Sequence, residues 1–131
     1  MSDRESPIRA LAELLRSEDT PISSYVVDPS EVDAAALPPA YDLLFEQVRE
    51  GYLLHYEDAR VLAGQDEDLA LLAGDYLYAL GLARLAALAD DSSVVVLADL
   101  ISSCAQLHAE DRRGEVPALW REAAAAITPR S

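Results

Sequence analysis

The chain has no lysine. All ten of its basic residues are arginine, set against 24 aspartates and glutamates, and the formal net charge is −14. That balance argues against nucleic acid and against anionic membrane surfaces as partners. It also makes a diphosphate site harder to build, because phosphate needs local positive charge. A single cysteine, Cys104, excludes an intramolecular disulfide, and its place in an apolar helical pattern marks it as a small core residue. Hairpin signals and parallel-strand units are lacking, so the expected class is all-α. The opening stretch MSDRESPIRALAELL sets acids beside its arginines and has no signal-peptide layout, which leads to the expectation of a cytoplasmic protein.

Hydrophobic residues make up 51% of the 131, enough for one domain with a core and against wholesale disorder. The longest apolar run, Leu69 to Ala89, is interrupted by charge only at Asp75 and Arg84. Its composition favours a helix about 31 Å long. Apolar nearly all round, it is expected to be buried from several sides, in the core and at a subunit interface. The run is long enough for a membrane span. Asp75 and Arg84 near its middle would each cost about 2.5–3.5 kcal/mol there, and the flanks Asp66–Asp68 and Asp90–Asp91 offer no basic anchor. The expectation is therefore no membrane span.

Taken in order, Ser6-Pro7 reads as a cap and a first helical proline. Ile8, Leu11, Leu14 and Leu15 follow on one apolar face. Residues 17–39 are irregular, with Ser24–Val27 extended and a short helix predicted from Asp28-Pro29 to about Ala36. Tyr41 to Leu62 is a second strong helix, with Asp42, Glu46, Arg49, Glu50 and Glu57 on its polar side and Gly64 as its stop. Asp66 is placed to cap the central helix, and Asp90, Asp91 and Ser92 form an acidic turn and cap. Val94 to Arg113 is the fourth helix, stopped by Gly114. Pro117 opens a last one, anchored by Trp120. The domain plan is one helical domain over 1–131, with an N-terminal helix and irregular segment in 1–38 and the main bundle in 39–131.

The string Leu72-Ala73-Gly74-Asp75-Tyr76-Leu77, with the turn and helix that follow to about Arg113, resembles the trans-polyprenyl diphosphate synthase family. The resemblance implies an antiparallel helical bundle, a fragment of the isoprenoid synthase fold. In that family this helix and the next form the subunit interface. The corresponding interface residues here are Gly74, Leu77, Gly81, Arg84, Leu88 and Leu97. The family's first aspartate-rich motif, DDxxD, would fall near Leu53–Arg60. This chain keeps a Leu-x-His and the pair Glu57-Asp58, lacks the third acid and carries Arg60 where acidic charge is wanted. The Arg-Arg-Gly substrate loop that follows this motif in the family is absent, since the stretch from His55 to Asp75 is too short to hold it, and the second aspartate-rich motif is absent too. Such chemistry needs two carboxylate clusters holding Mg²⁺ against a diphosphate. The resemblance therefore points to the small noncatalytic component of two-component synthases. It implies no cofactor of its own, Mg²⁺ only through a catalytic partner, and a prenyl diphosphate synthase as partner. The alternative is a stand-alone homodimeric module without catalysis that binds an apolar ligand.

Tyr52, His55, Tyr56, Asp58 and Asp75 form the candidate pocket, a vestige of that site. Tyr41, Tyr52 and Tyr56 are candidates to line an apolar channel, although core packing explains each singly. Leu54–Asp58 and Leu107–Asp111 share the form Leu-His-x-Glu-Asp, so His55, Asp58, His108 and Asp111 make a weak metal set. Histidines bonded near helix ends explain it more simply. Asp75, on a buried helix, is expected to be paired with Arg49, Arg60, Tyr52 or Tyr56. Ser102-Ser103-Cys104 has no general base at motif spacing and makes no nucleophile.

Overall fold

The structure is a computed structural model of the chain; it describes residues 6–29, 37, 39–88 and 90–127. Among the described residues, five α-helices follow in order: α1 (Pro7–Ser17), α2 (Pro39–Tyr56), α3 (Glu67–Ala87), α4 (Asp91–Ala109) and α5 (Val116–Ile127). Among the described residues the only β pairing is an isolated antiparallel bridge between Val26 and Leu62. The all-α expectation holds. The helix expected over 28–36 lies outside the described residues except at its start.

The hub is α2, not α3. From Asp42 to Leu54 nearly every residue of α2 is buried, its acids included. Two apolar clusters share it. Phe45, Val48 and Tyr52 join Leu85, Leu97, Leu100, Cys104, Trp120 and Ile127. Leu54 instead joins Ile8, Leu11 and Leu15 of α1 with Val61, Leu62 and Leu77. Too short to hold alone, α1 is kept by that burial, worth about 1.5–3 kcal/mol for each large side chain. Phe45 meets Trp120 edge to face at 5.6 Å, which docks α5 as expected.

Close packing of α2 on α3 runs through glycine. A Cβ on Gly51 would lie 2.9 Å from the Gly74 carbonyl oxygen, and one on Gly81 would lie 2.5 Å from Val48 Cγ2. Gly74 and Gly81 do admit a neighbouring helix, and that helix is α2 of the same chain. Gly74, Leu77, Gly81 and Leu97, expected at a subunit interface, are buried within the chain instead. Arg84 is half-buried beside Glu18, and Leu88 is exposed.

Only one side of α3 is covered. Leu71, Leu72, Tyr76 and Leu88 stand exposed, Leu72 at 66%. Burial from several sides is thus not met within the chain. Val95 of α4 is exposed too. Both α3 and α4 are long and apolar enough to cross a membrane by length and composition, and 28% of each apolar window is buried. A core helix of a water-soluble protein meets the same description, so the expected lack of a span does not follow from the fold.

Helix ends follow their caps. Asp66 accepts from the Leu69 N–H at 2.7 Å, and Asp90 accepts from the Ser93 N–H at 3.0 Å. The second helix stops at Tyr56, short of Leu62. The Glu50 carboxylate takes the N–H groups of Arg60 and Val61, which turns the chain back across the helix. The fourth helix stops at Ala109, and Asp111, at φ 59°, makes the reversal expected of Gly114.

Candidate functional site

The C-terminal half of α2 presents Tyr52, His55 and Tyr56 on successive turns, and α3 and α4 close on them from two sides. Four of the five pocket residues expected from sequence, Tyr52, His55, Tyr56 and Asp75, belong to one connected cluster. His108 and Tyr78 complete it.

On the α3 side, His55 Nε2 lies 3.1 Å from the Leu71 carbonyl oxygen and 3.2 Å from Asp75 Oδ1. Both are acceptors, so this nitrogen carries the proton. The imidazole lies directly against Gly74, where any Cβ would collide with it. Its ring meets Tyr78 edge on at 5.1 Å. On the α4 side, the Tyr52 hydroxyl and His108 Nε2 share a hydrogen bond of 2.7 Å. Tyr56 stacks on His108 with centroids 4.1 Å apart and planes 12° from parallel. Tyr56 is exposed, so it covers His108 from solvent. Burial, then the nearby Glu57, push the Tyr52 hydroxyl far above its usual range. Burial does the same to Tyr78. Both phenols are therefore neutral hydrogen-bonding groups at any ordinary pH, not acids or bases.

Asp75 departs from expectation. Its side chain is 71% exposed and its partner is His55. Of the partners expected for it, Arg49 lies over the Trp120 ring at 5.7 Å and Arg60 is bound elsewhere. Asp58 is exposed in the turn after α2, and its side chain bonds to no described residue. Tyr41 sits at the far end of α2, donating to Asp90 at 2.9 Å, and shares no channel with Tyr52 and Tyr56. The set His55, Asp58, His108 and Asp111 is not gathered. Among the described residues no three His, Cys, Asp or Glu side chains are placed to hold a metal ion.

A second polar site went unread in the sequence. Glu46 and Glu50, on the side of α2 that was expected to be solvated, are fully buried, and so is Gln47 between them. Arg60 reaches back to them. Its Nη1 donates to Glu46 Oε1 at 2.7 Å, its Nε to Glu50 Oε1 at 2.9 Å, and its Nη2 to the Glu46 carbonyl at 3.0 Å. The guanidinium thus sits where a cation between two carboxylates would sit. Gln47 has no bonding partner for either amide atom among the described residues. The available signal was two glutamates four residues apart, one turn of α2, with an arginine ten residues beyond the second. Cys104 is buried as expected, and burial raises its thiol to about 11, so it is an inert core residue.

Chemically, the cluster offers neutral hydroxyls, two bonded imidazoles and an exposed stacked ring, and the buried acids are matched to an arginine. Comparison with known proteins finds no matching family, no matching curated protein and no matching solved structure.

Proposed function

We propose that the chain is a noncatalytic helical subunit that works by docking, an accessory component of isoprenoid chain elongation of the kind its resemblance to prenyl diphosphate synthases implies. The observation that carries this reading is the uncovered apolar side of α3, with Leu71, Leu72 and Tyr76 exposed on a helix whose other side is packed tightly on α2. An apolar face of this extent on a small domain is a docking surface. The arrangement of the acids supports the same reading. Diphosphate chemistry needs carboxylates facing one another across a cleft to hold Mg²⁺. Here the paired carboxylates of α2 turn inward onto Arg60, and Glu57 and Asp58 are exposed in the turn that follows.

The test is the mass of the purified protein by light scattering, alone and with the host's long-chain prenyl diphosphate synthase. A defined complex with the synthase, followed by a change in product chain length with Mg²⁺ and an allylic substrate, is the expected result. Failure to associate with the synthase under any condition overturns the accessory role.

A further inference from the structure

One hydroxyl in the aromatic cluster stands between two acceptors. The Tyr52 oxygen lies 2.7 Å from His108 Nε2 and 3.5 Å from Glu57 Oε2. A phenol has a single proton to donate. The shorter contact takes it, so the neutral imidazole accepts at Nε2 and the Tyr52–Glu57 contact is left at the outer limit of a hydrogen bond. Burial, then the nearby Glu57, hold the Tyr52 phenol far above its usual range, so it keeps that proton throughout. The hydroxyl can only choose between its two neighbours.

A proton on His108 forces the choice. Both ring nitrogens of an imidazolium are donors, so Nε2 can no longer accept. It must donate to the Tyr52 oxygen, and the hydroxyl proton must turn away. The acceptor within reach is Glu57 Oε2. The result is a chain from imidazolium to phenol to carboxylate with a full charge at each end, and charge-assisted bonds are the shorter and stronger ones. Tyr56, stacked on the ring at 4.1 Å, offers the aromatic face that a cation prefers. Among the described residues Nε2 has no other hydrogen-bond partner. On α4 itself Cys104 is buried one turn earlier, Asp111 is exposed beyond the helix end, and Arg112 is engaged with Glu110 and Glu115. From α5, Trp120 packs on Tyr52 and does not titrate, with Arg49 over its ring. From α3, Tyr78 meets the ring of His55.

We propose that Tyr52 is a two-position relay: protonation of His108 reverses the Tyr52–His108 hydrogen bond and turns the Tyr52 hydroxyl onto Glu57. One proton is taken from solvent at Nε2; the phenol keeps its own and only rotates. Glu57 directly follows the last residue of α2 and opens the turn that the Glu50 carboxylate holds at Arg60 and Val61. Drawing Glu57 onto Tyr52 therefore fastens the end of α2 and the start of that turn to α4 as the medium turns acid. The relay sits in the joint of α2 and α4 and is independent of the docking role of α3.

The test is an NMR titration of the full chain, labelled with ¹³C and ¹⁵N, from about pH 8 to about pH 5, the range in which histidine changes charge. The His108 Nε2 signal is expected to change from that of a bare acceptor nitrogen to that of an N–H, and the Glu57 carboxyl carbon to shift with the same midpoint. Carboxyl groups take up their own protons well below that range. In Tyr52→Phe, which keeps the buried ring, the Glu57 step is expected to be lost while His108 still titrates. A Glu57 step of unchanged size in Tyr52→Phe shows that charge acts through space and overturns the relay. A Glu57 carboxyl that stays still in the wild type overturns it too. So does a His108 Nε2 that already carries its proton at about pH 8, since the bond then never reverses. These last two readings come from the wild type and decide the matter even where Tyr52→Phe does not fold.

Discussion

Arg60 and Glu50 hold each other at two points: the Arg60 Nε donates to Glu50 Oε1 at 2.9 Å and the Arg60 backbone N–H donates to Glu50 Oε2 at 2.8 Å. One buried carboxylate thereby fixes both the side chain and the path of the loop after α2. With Glu46 on the same guanidinium, the arrangement ties the turn to the hub helix. Removing one partner of a buried ion pair leaves its charge uncompensated, which costs far more than the pair contributes. Arg60→Met is therefore expected to lower stability by about 3–5 kcal/mol. Urea denaturation checks this, and adding Glu50→Gln to the same variant should recover part of the loss. A loss under about 1 kcal/mol would mean that water already reaches the pair.

The contact between α2 and α3 makes a sharper prediction at glycine. Gly81→Ala puts a methyl group against Val48 Cγ2, and Gly74→Ala puts one into the His55 ring. Both should lower stability by about 1–3 kcal/mol, the range for overpacking, despite the better helix propensity of alanine. A methyl group on Gly114 would meet nothing within 4 Å, so Gly114→Ala is the matched control and should be close to neutral. Thermal melts of the three variants decide it. Equal effects at all three would show that backbone freedom, not contact, sets the cost.

These two regions mark where the fold was readable from sequence and where it was not. Pro7, Asp66 and Asp90 announced their helix starts because a cap is a local matter between neighbours. Trp120 and Cys104 announced burial by their chemistry. The hub was misplaced because hydrophobic pattern equates charge with solvent. Glu46 and Glu50 are buried by a partner ten residues or more along the chain, which periodicity does not register. The same error made α3 the centre, since its apolar residues on all sides read as burial when one side is uncovered. In the site, Tyr52, His55, Tyr56 and Asp75 were grouped as a vestigial pocket, but the glycine contact that brings α2 onto α3 was expected between subunits and lies within the chain. The ring of Tyr56 over His108 depends on how α4 crosses α2, which no local signal sets.

Within the aromatic cluster the two histidine bonds should prove unequal. Tyr52 is buried and bonds His108 at 2.7 Å, so Tyr52→Phe leaves an imidazole nitrogen without its partner. A loss of about 1–2 kcal/mol is expected. The His55–Asp75 pair is largely open to solvent on the aspartate side, and Asp75→Asn should change stability by less than about 0.5 kcal/mol. Chemical denaturation of both variants, and of the double variant, tests independence. Tyr56 touches the rings of both His55 and His108, so the double variant is expected to depart from the sum of the single ones by about 0.5 kcal/mol or more.

Asp90 supplies the last prediction, in acid. The Ser93 hydroxyl, the Ser93 N–H, the Tyr41 hydroxyl and the Ser92 hydroxyl all donate to its carboxylate. Led by the Ser93 hydroxyl, these bonds hold the carboxyl at about 2, below its ordinary 3.8. A carboxyl depressed in the folded state binds its proton more readily when unfolded. Its stabilisation is therefore complete above 3.8 and is lost as the pH falls toward 2. Asp90→Asn keeps a capping oxygen but cannot titrate. Its melting temperature should fall less steeply than that of the wild type between about pH 4 and about pH 2. Glu110 and Glu115, also lowered by their bonds, titrate in both proteins and cancel in the comparison. Parallel curves for wild type and Asp90→Asn would show that the four donors do not favour the charged carboxylate.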